Sequence, residues 1–129
     1  MKLNPDCVRD ILLTVEEVCD GDDFLHIDED YDLESDNFLY KYNLKEILYH
    51  IRQCNMCGFF IGCSSDYNDG YLIMDLSPEG HEFLADIRSN SIWNKVKKKS
   101  EQIGVKSLGA LSQIAISVTT ALINESLTL

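Results

Sequence analysis

The chain has no Gly-x-Ser-x-Gly elbow and no glycine-rich phosphate loop, and its only imidazoles are His26, His50 and His81. Nucleophilic hydrolysis and phosphate chemistry therefore lack their usual machinery, and the expectation is a protein that is not an enzyme. A second Cys-x-x-Cys to accompany Cys54 and Cys57 is missing, so a full set of four soft zinc ligands is not spelled out. No basic segment leads into an apolar run near Met1, and Asp6, Arg9 and Asp10 interrupt the early apolar stretch; this argues against a secretory signal. Five cysteines, an odd number, suit a reducing compartment better than a disulfide framework, and the expected location is cytoplasmic. Cations are scarcest of all where acids are densest. From Glu16 to Asp36 there are eleven acidic residues and no basic one, in a chain of 129 residues with a net charge of −11.

What is present is strong helix and turn punctuation. Asn4-Pro5-Asp6 combines a cap, a proline at the first helical position and early negative charge. Val8, Ile11, Leu12, Val15 and Val18 then recur at helical spacing, and Gly21 ends the run. Asp22 to Asn37 is polar around a short apolar island, Phe24 to Ile27, read as a short strand or loop anchor. Phe38 to Tyr42 is rich in aromatic residues and is expected to be a strand. Asn43 caps a helix over 44–57 with Leu44, Ile47, Leu48, Ile51 and Cys54 on one face and Lys45, Tyr49, Arg52 and Met56 on another. Gly58 supplies its exit. Phe59 to Cys63 and Tyr71 to Leu76 are expected as two strands joined through an Asp69-Gly70 hairpin signal. Ser77-Pro78-Glu79 opens the next helix, with Phe83, Leu84 and Ile87 buried.

Helix, hairpin, helix is the core of a winged helix-turn-helix. The expected class is α+β, mainly α: a winged-helix domain with an acidic insertion over residues 1–90 and a C-terminal helical extension over 91–129. In the extension, Ile92, Trp93, Val96, Ser100 and Ile103 face one side while Lys95, Lys97, Lys98 and Lys99 face the other, and Gly104 breaks the helix. A last helix, roughly 107–126, carries a seam of Leu108, Leu111, Ala115, Val118 and Leu122 that asks for a partner, either the body of the same chain or a second copy in a homodimer. Gln113, Asn124 and its Ser and Thr residues argue against a membrane span.

Three sets of residues offer sites. His50, Cys54, Cys57 and Cys63 could be read as zinc ligands, but Cys54 already belongs to an apolar stripe, and core packing is the preferred reading. No cofactor and no metal are expected. Asp28, Asp30 and Asp32 have the alternate spacing of a calcium loop, yet Leu33 replaces its glycine and Leu39 its final glutamate. Lys45, Tyr49, Arg52 and Gln53, with the lysines of 95–99, would serve a DNA-binding reading. Against it stand five basic and fourteen acidic residues between Met1 and Phe60.

On Val8 to Leu13, Tyr49-His50-Ile51, Cys57 to Ile61, Leu76 to Leu84 and Ile92-Trp93 with the lysines that follow, the chain resembles a bacterial and phage domain-of-unknown-function family, number 2513. The resemblance runs over nearly the whole length. It implies a winged-helix fold and an origin near prophages or mobile elements, and it implies no activity. It also marks Cys54 and Cys57 as substitutions at packing positions, and the acidic segment before Phe38 as longer than usual. The functional expectation is therefore a protein that acts by protein–protein contact, as an acidic modulator or inhibitor of a nucleic-acid-handling host system. Asp22, Asp23, Asp28, Glu29, Asp30, Asp32 and Glu34 would be its handle. A sequence-specific DNA-binding regulator is the alternative.

Overall fold

The computed structural model describes residues 1–66 and 69–128. Its class is α+β, mainly helical, with small antiparallel sheets. The first helix, α1 (Pro5–Val18), starts where the cap logic places it, with the Asn4 side chain accepting from the Asp6 N–H. It is apolar on more than one face: Cys7, Val8, Ile11, Leu12 and Val15 have no exposed surface. Strand β1 (Leu25–Ile27) follows, then two single 3₁₀ turns, Leu33–Ser35 and Leu39–Lys41, then α2 (Leu44–Met56), capped by the Asn43 side chain on the Glu46 N–H.

The hairpin after α2 is made of β2 (Phe60–Ile61), β3 (Ser64–Ser65), β4 (Tyr71–Ile73) and β5 (Asp75–Leu76). Phe60 faces Leu76, Ile61 faces Asp75, Ser64 faces Leu72 and Ser65 faces Tyr71, so one register runs through both ladders. Each of the two long strands expected from the sequence is broken once. At Gly62, φ is +64°, and a Cβ there would come within 2.2 Å of the Met74 sulfur, so the pleat kinks where these two residues press together. Strand β1 pairs with the outer face of β4, giving the sheet order β1-β4-β3, with Leu25 opposite Ile73 and Ile27 opposite Tyr71. The hairpin closes between Asp66 and Gly70, with Asp69 left-handed at φ +58°. Of the expected turn, Tyr67 and Asn68 lie outside the described residues.

Phe38 to Tyr42 does not form the expected strand; the sheet takes the Leu25–Ile27 island instead. The reason is local. The Asp36 carboxylate accepts from the N–H groups of Phe38 and Leu39, curling the chain so that Leu39 is buried and Tyr42 turns towards α1. There the Tyr42 hydroxyl donates to Asp10 at 2.6 Å, and Lys41 Nζ lies 3.1 Å from the same carboxylate. A strand would have pointed these two side chains to opposite faces.

Helix α3 (Pro78–Ile87) is capped by Ser77, whose hydroxyl accepts from the Gly80 N–H and donates to the Gly58 carbonyl. Phe83 stacks on Phe59 at 5.1 Å. Helices α4 (Asn90–Ile103) and α5 (Leu108–Leu127) complete the chain. Trp93 and Val96 of α4, with Leu108, Leu111, Ile114 and Ala115 of α5, are continuous with the core built on α1. The expected boundary near residue 90 thus falls between helices that share one core. Ile103, expected on the buried side, is 62% exposed: it is the last residue of α4, next to the left-handed Gly104 that ends the helix.

The first turn of α3 admits only glycine at position 80: a Cβ there would lie 2.2 Å from the Phe59 carbonyl oxygen, a backbone atom that the Ser77 hydrogen bonds hold in place. Gly80→Ala is therefore expected to destabilise the fold by about 3 kcal/mol, at the top of the usual overpacking range. Gly109→Ala, in the first turn of α5 with open space around it, is expected to stabilise by roughly 0.5 kcal/mol. Urea titration of both variants measures the contrast.

Candidate interaction site

The acidic residues that flank β1, between α1 and α2, form a folded ledge, and carboxylates hold its backbone. Asp20 accepts from the N–H groups of Asp22 and Asp23, Asp28 from that of Asp30, and Asp36 from the Tyr31 hydroxyl at 2.5 Å. Burial and the neighbouring Asp36 push the Tyr31 hydroxyl well above its ordinary pKa. Tyr31 and Leu33 pack on the core and anchor the ledge from beneath. Asp22, Asp23, Glu29, Asp30, Asp32 and Glu34 are exposed. Among the described residues none of these six forms an ion pair with Lys or Arg. Asp28 is different: it is half-buried, and its Oδ2 lies 3.6 Å from His26 Nε2.

Arg9, Lys41, Arg88 and Lys97 are engaged within the fold. Arg88 pairs with Glu16 and holds its carboxyl below the usual range. Arg9 donates to the carbonyls of Ile87 and Arg88. Asp6 accepts from Trp93 Nε1 at 2.8 Å and from Lys97 Nζ at 2.9 Å; burial opposes its charge, but these two bonds outweigh that and lower its pKa. Lys97, expected on the solvated lysine face, is thus a tie between α4 and α1, with its ammonium 5.6 Å from the Trp93 ring centre. Lys95, Lys98 and Lys99 line a groove of about 420 Å³ whose other wall is Val118, Ala121 and Leu122 of α5.

On α2, Lys45 and Arg52 are exposed, while Tyr49 and Gln53 are half-buried. Tyr49 lines a cavity with Leu3, Val105, Lys106 and Leu111, so the connection between α4 and α5 stands against this side of α2. Past the end of α2, Glu79, Glu82 and Asp86 border the next depression.

The cysteine set does not gather into a zinc site. His50 is fully buried, its Nδ1 donating to the Glu46 carbonyl and its Nε2 accepting from the Asn4 N–H, both at 2.8 Å. Neither nitrogen is left for a metal. Burial raises the thiol pKa of all five cysteines, with Cys7 at about 12 and Cys63 at about 11. Cys54 is buried in the core, the packing role expected for it, whereas Cys57, expected at a packing position too, is exposed just past the end of α2.

Sequence reading missed one group. His26 and Asp66, forty positions apart, meet at 2.5 Å with Asp28 beside them. The hydrogen bond that the His26 ring donates to Asp66 raises its pKa; slight desolvation opposes this and the Asp28 charge adds to it. The available signal was the His-x-Asp alternation on one face of a strand, but the strand that brings Asp66 across is set by sheet order.

The family described as hypothetical protein (DUF2513) has a sequence profile that matches residues 2–106, and the chain belongs to that family. No curated protein and no solved structure matches it. Among the described residues, no helix is long and apolar enough to cross a membrane.

The α5 seam divides into two halves. Leu108, Leu111 and Ala115 are buried against the same chain, whereas Val118 and Leu122 are partly exposed, and Ile123 and Leu127 are 53% and 78% exposed. Leu111→Glu is expected to cost about 3 kcal/mol or more, through an unpaired charge in a filled core, and Leu122→Glu less than about 1 kcal/mol. Urea midpoints measure both, and solution mass of wild type and Leu122→Glu reports whether the exposed half joins two copies.

Proposed function

Starting from that family membership, we propose that the chain is a non-enzymatic, cytoplasmic winged-helix protein of phage or mobile-element type that works by contact with another protein. In this reading it is an acidic modulator or inhibitor of a nucleic-acid-handling host system. The winged-helix assignment is supported by the order β1-β4-β3, in which the strand after the first helix joins the hairpin that follows α2. The functional reading is carried by one observation: the ledge from Asp22 to Glu34 presents exposed carboxylates on an ordered backbone.

Order matters to the argument. A disordered acidic tail loses conformational entropy on binding, whereas a folded one has already lost it. Its charges also have fixed spacing, so a basic partner is selected by geometry as well as by sign. Because Lys45 and Arg52 share the exposed side of α2, a DNA-binding regulator is the second reading. The carboxylates beyond the end of that helix and the engagement of Lys97 weigh against it.

In nuclease-treated host extract at about 150 mM salt, wild-type protein is expected to retain a basic partner. A variant carrying Asn at Asp22, Asp23, Asp30 and Asp32 and Gln at Glu29 and Glu34 is expected to retain it at least about tenfold less. Equal retention by both removes the handle. A duplex-DNA band shift at about 50 mM salt that is lost in Lys45→Glu and Arg52→Glu would put the regulator in its place.

A further inference from the structure

His26, Asp28 and Asp66 converge from two segments. His26 and Asp28 sit two residues apart at the exposed face and end of β1, and Asp66 follows β3, the strand on the far side of β4. Carboxylates on the two outer strands would ordinarily be kept apart by the side chain of the strand between them. Here that position is Gly70, where a Cβ would meet the Ile27 carbonyl at 2.5 Å and Asp28 Cβ at 2.6 Å. The backbones therefore close up, and one donor atom from each of the three residues lies within 4.8 Å of the others.

Each carboxylate is also aimed. Asp28 Oδ1 accepts from the Asp30 N–H, leaving Oδ2 turned to the imidazole; Asp66 Oδ1 accepts from the Gly70 N–H at 2.8 Å, leaving Oδ2 at 2.5 Å from His26 Nε2. Such outer hydrogen bonds are what orient ligands in metal sites. Among the described residues this is the group of three or more potential ligands whose donor atoms come together.

We propose that His26 Nε2, Asp28 Oδ2 and Asp66 Oδ2 bind a divalent first-row transition ion, with Zn²⁺ or Mn²⁺ as the best fit. An imidazole nitrogen with two carboxylate oxygens suits these ions, while Mg²⁺ and Ca²⁺ prefer all-oxygen sets. Bonds of about 2.0–2.2 Å at roughly right angles require donor atoms about 3 Å apart, so the 2.5 Å and 3.6 Å separations need only to even out. Exposure of His26 leaves the outward positions to water. The ion clips the hairpin tip to the base of the acidic ledge and offsets two of its charges. The site shares Asp28 with the expected handle but uses none of the six exposed carboxylates changed in the retention test, so that test and the metal titration can fail independently.

The test is calorimetric titration of full-length, chelator-stripped protein with ZnCl₂, MnCl₂, CaCl₂ and MgCl₂, repeated on His26→Gln, Asp66→Asn and the double variant Cys57→Ser, Cys63→Ser. Circular dichroism checks that each variant is folded. One equivalent of Zn²⁺ or Mn²⁺ is expected to bind tighter than about 100 µM, to weaken by about tenfold or more in His26→Gln and Asp66→Asn, and to be unchanged in the cysteine variant. Co²⁺ loading is expected to give the weak spectrum of a nitrogen and oxygen site. Affinity weaker than about 100 µM, full affinity in His26→Gln, or a thiolate-to-cobalt charge-transfer band lost with the cysteines would each overturn the proposal.

Discussion

The fold depends on a helix that is buried around most of its circumference. Such a helix carries polar groups into or to the edge of the core, and each buried one must be met by a partner. Asn4 at its start is held by His50 and Glu46 of α2. Asp10, 6% exposed, is met by Tyr42 and Lys41. Asp6 is met by Trp93 and Lys97 of α4. These are contacts between segments 31 to 91 positions apart, and together they decide how the connections run. The turn at Leu39–Lys41 brings Tyr42 and Lys41 to Asp10, and α4 is tied to the start of α1 by Trp93 and Lys97, which share the Asp6 carboxylate.

That dependence separates what could be read in the sequence from what could not. Helix starts were legible at Asn4, Asn43 and Ser77, because a cap is a local hydrogen bond written in adjacent residues. The glycine exit at Gly58 was legible for the same reason, its φ of +77° being a local demand. Phe38 to Tyr42 was misread because aromatic residues favour a pleated surface only when nothing stronger directs them, and here Asp36 and Asp10 do. The α5 seam was half legible. Three- and four-residue spacing reveals that a stripe exists, but not that its first half meets the body while its second half runs beyond it.

The candidate sites divide along the same line. Exposure of the acidic ledge followed from composition, since eleven carboxylates without a cation cannot all be buried. Its internal order did not, because Asx-type bonds from Asp20, Asp28 and Asp36 depend on backbone paths that many acidic loops never adopt. His50 illustrates the converse. Its helical proximity to Cys54 and Cys57 suggested a ligand set, yet the buried amide of Asn4 claims the nitrogen that zinc would need. A buried imidazole is satisfied by whichever polar group the core must also satisfy, and sequence spacing carries no record of that choice.

Ordering like charges on one ledge has an energetic consequence that bears on partner choice. Two exposed carboxylates about 4 Å apart repel by only about 1 kcal/mol in water, a cost that the carboxylate–amide bonds and the core contacts of Tyr31 and Leu33 can carry. Beyond about 8 Å at physiological salt, screening makes the charges nearly independent. The ledge therefore does not act on a partner as a single diffuse field. It acts as a set of short-range positions, and only a surface whose cations match several of them at once gains more than the small amount that each exposed pair contributes. Duplex DNA repels such a surface at every register, whereas a folded basic protein can match it in one, so in the proposed reading it is the order of the ledge, more than its charge alone, that would discriminate between those two classes of partner.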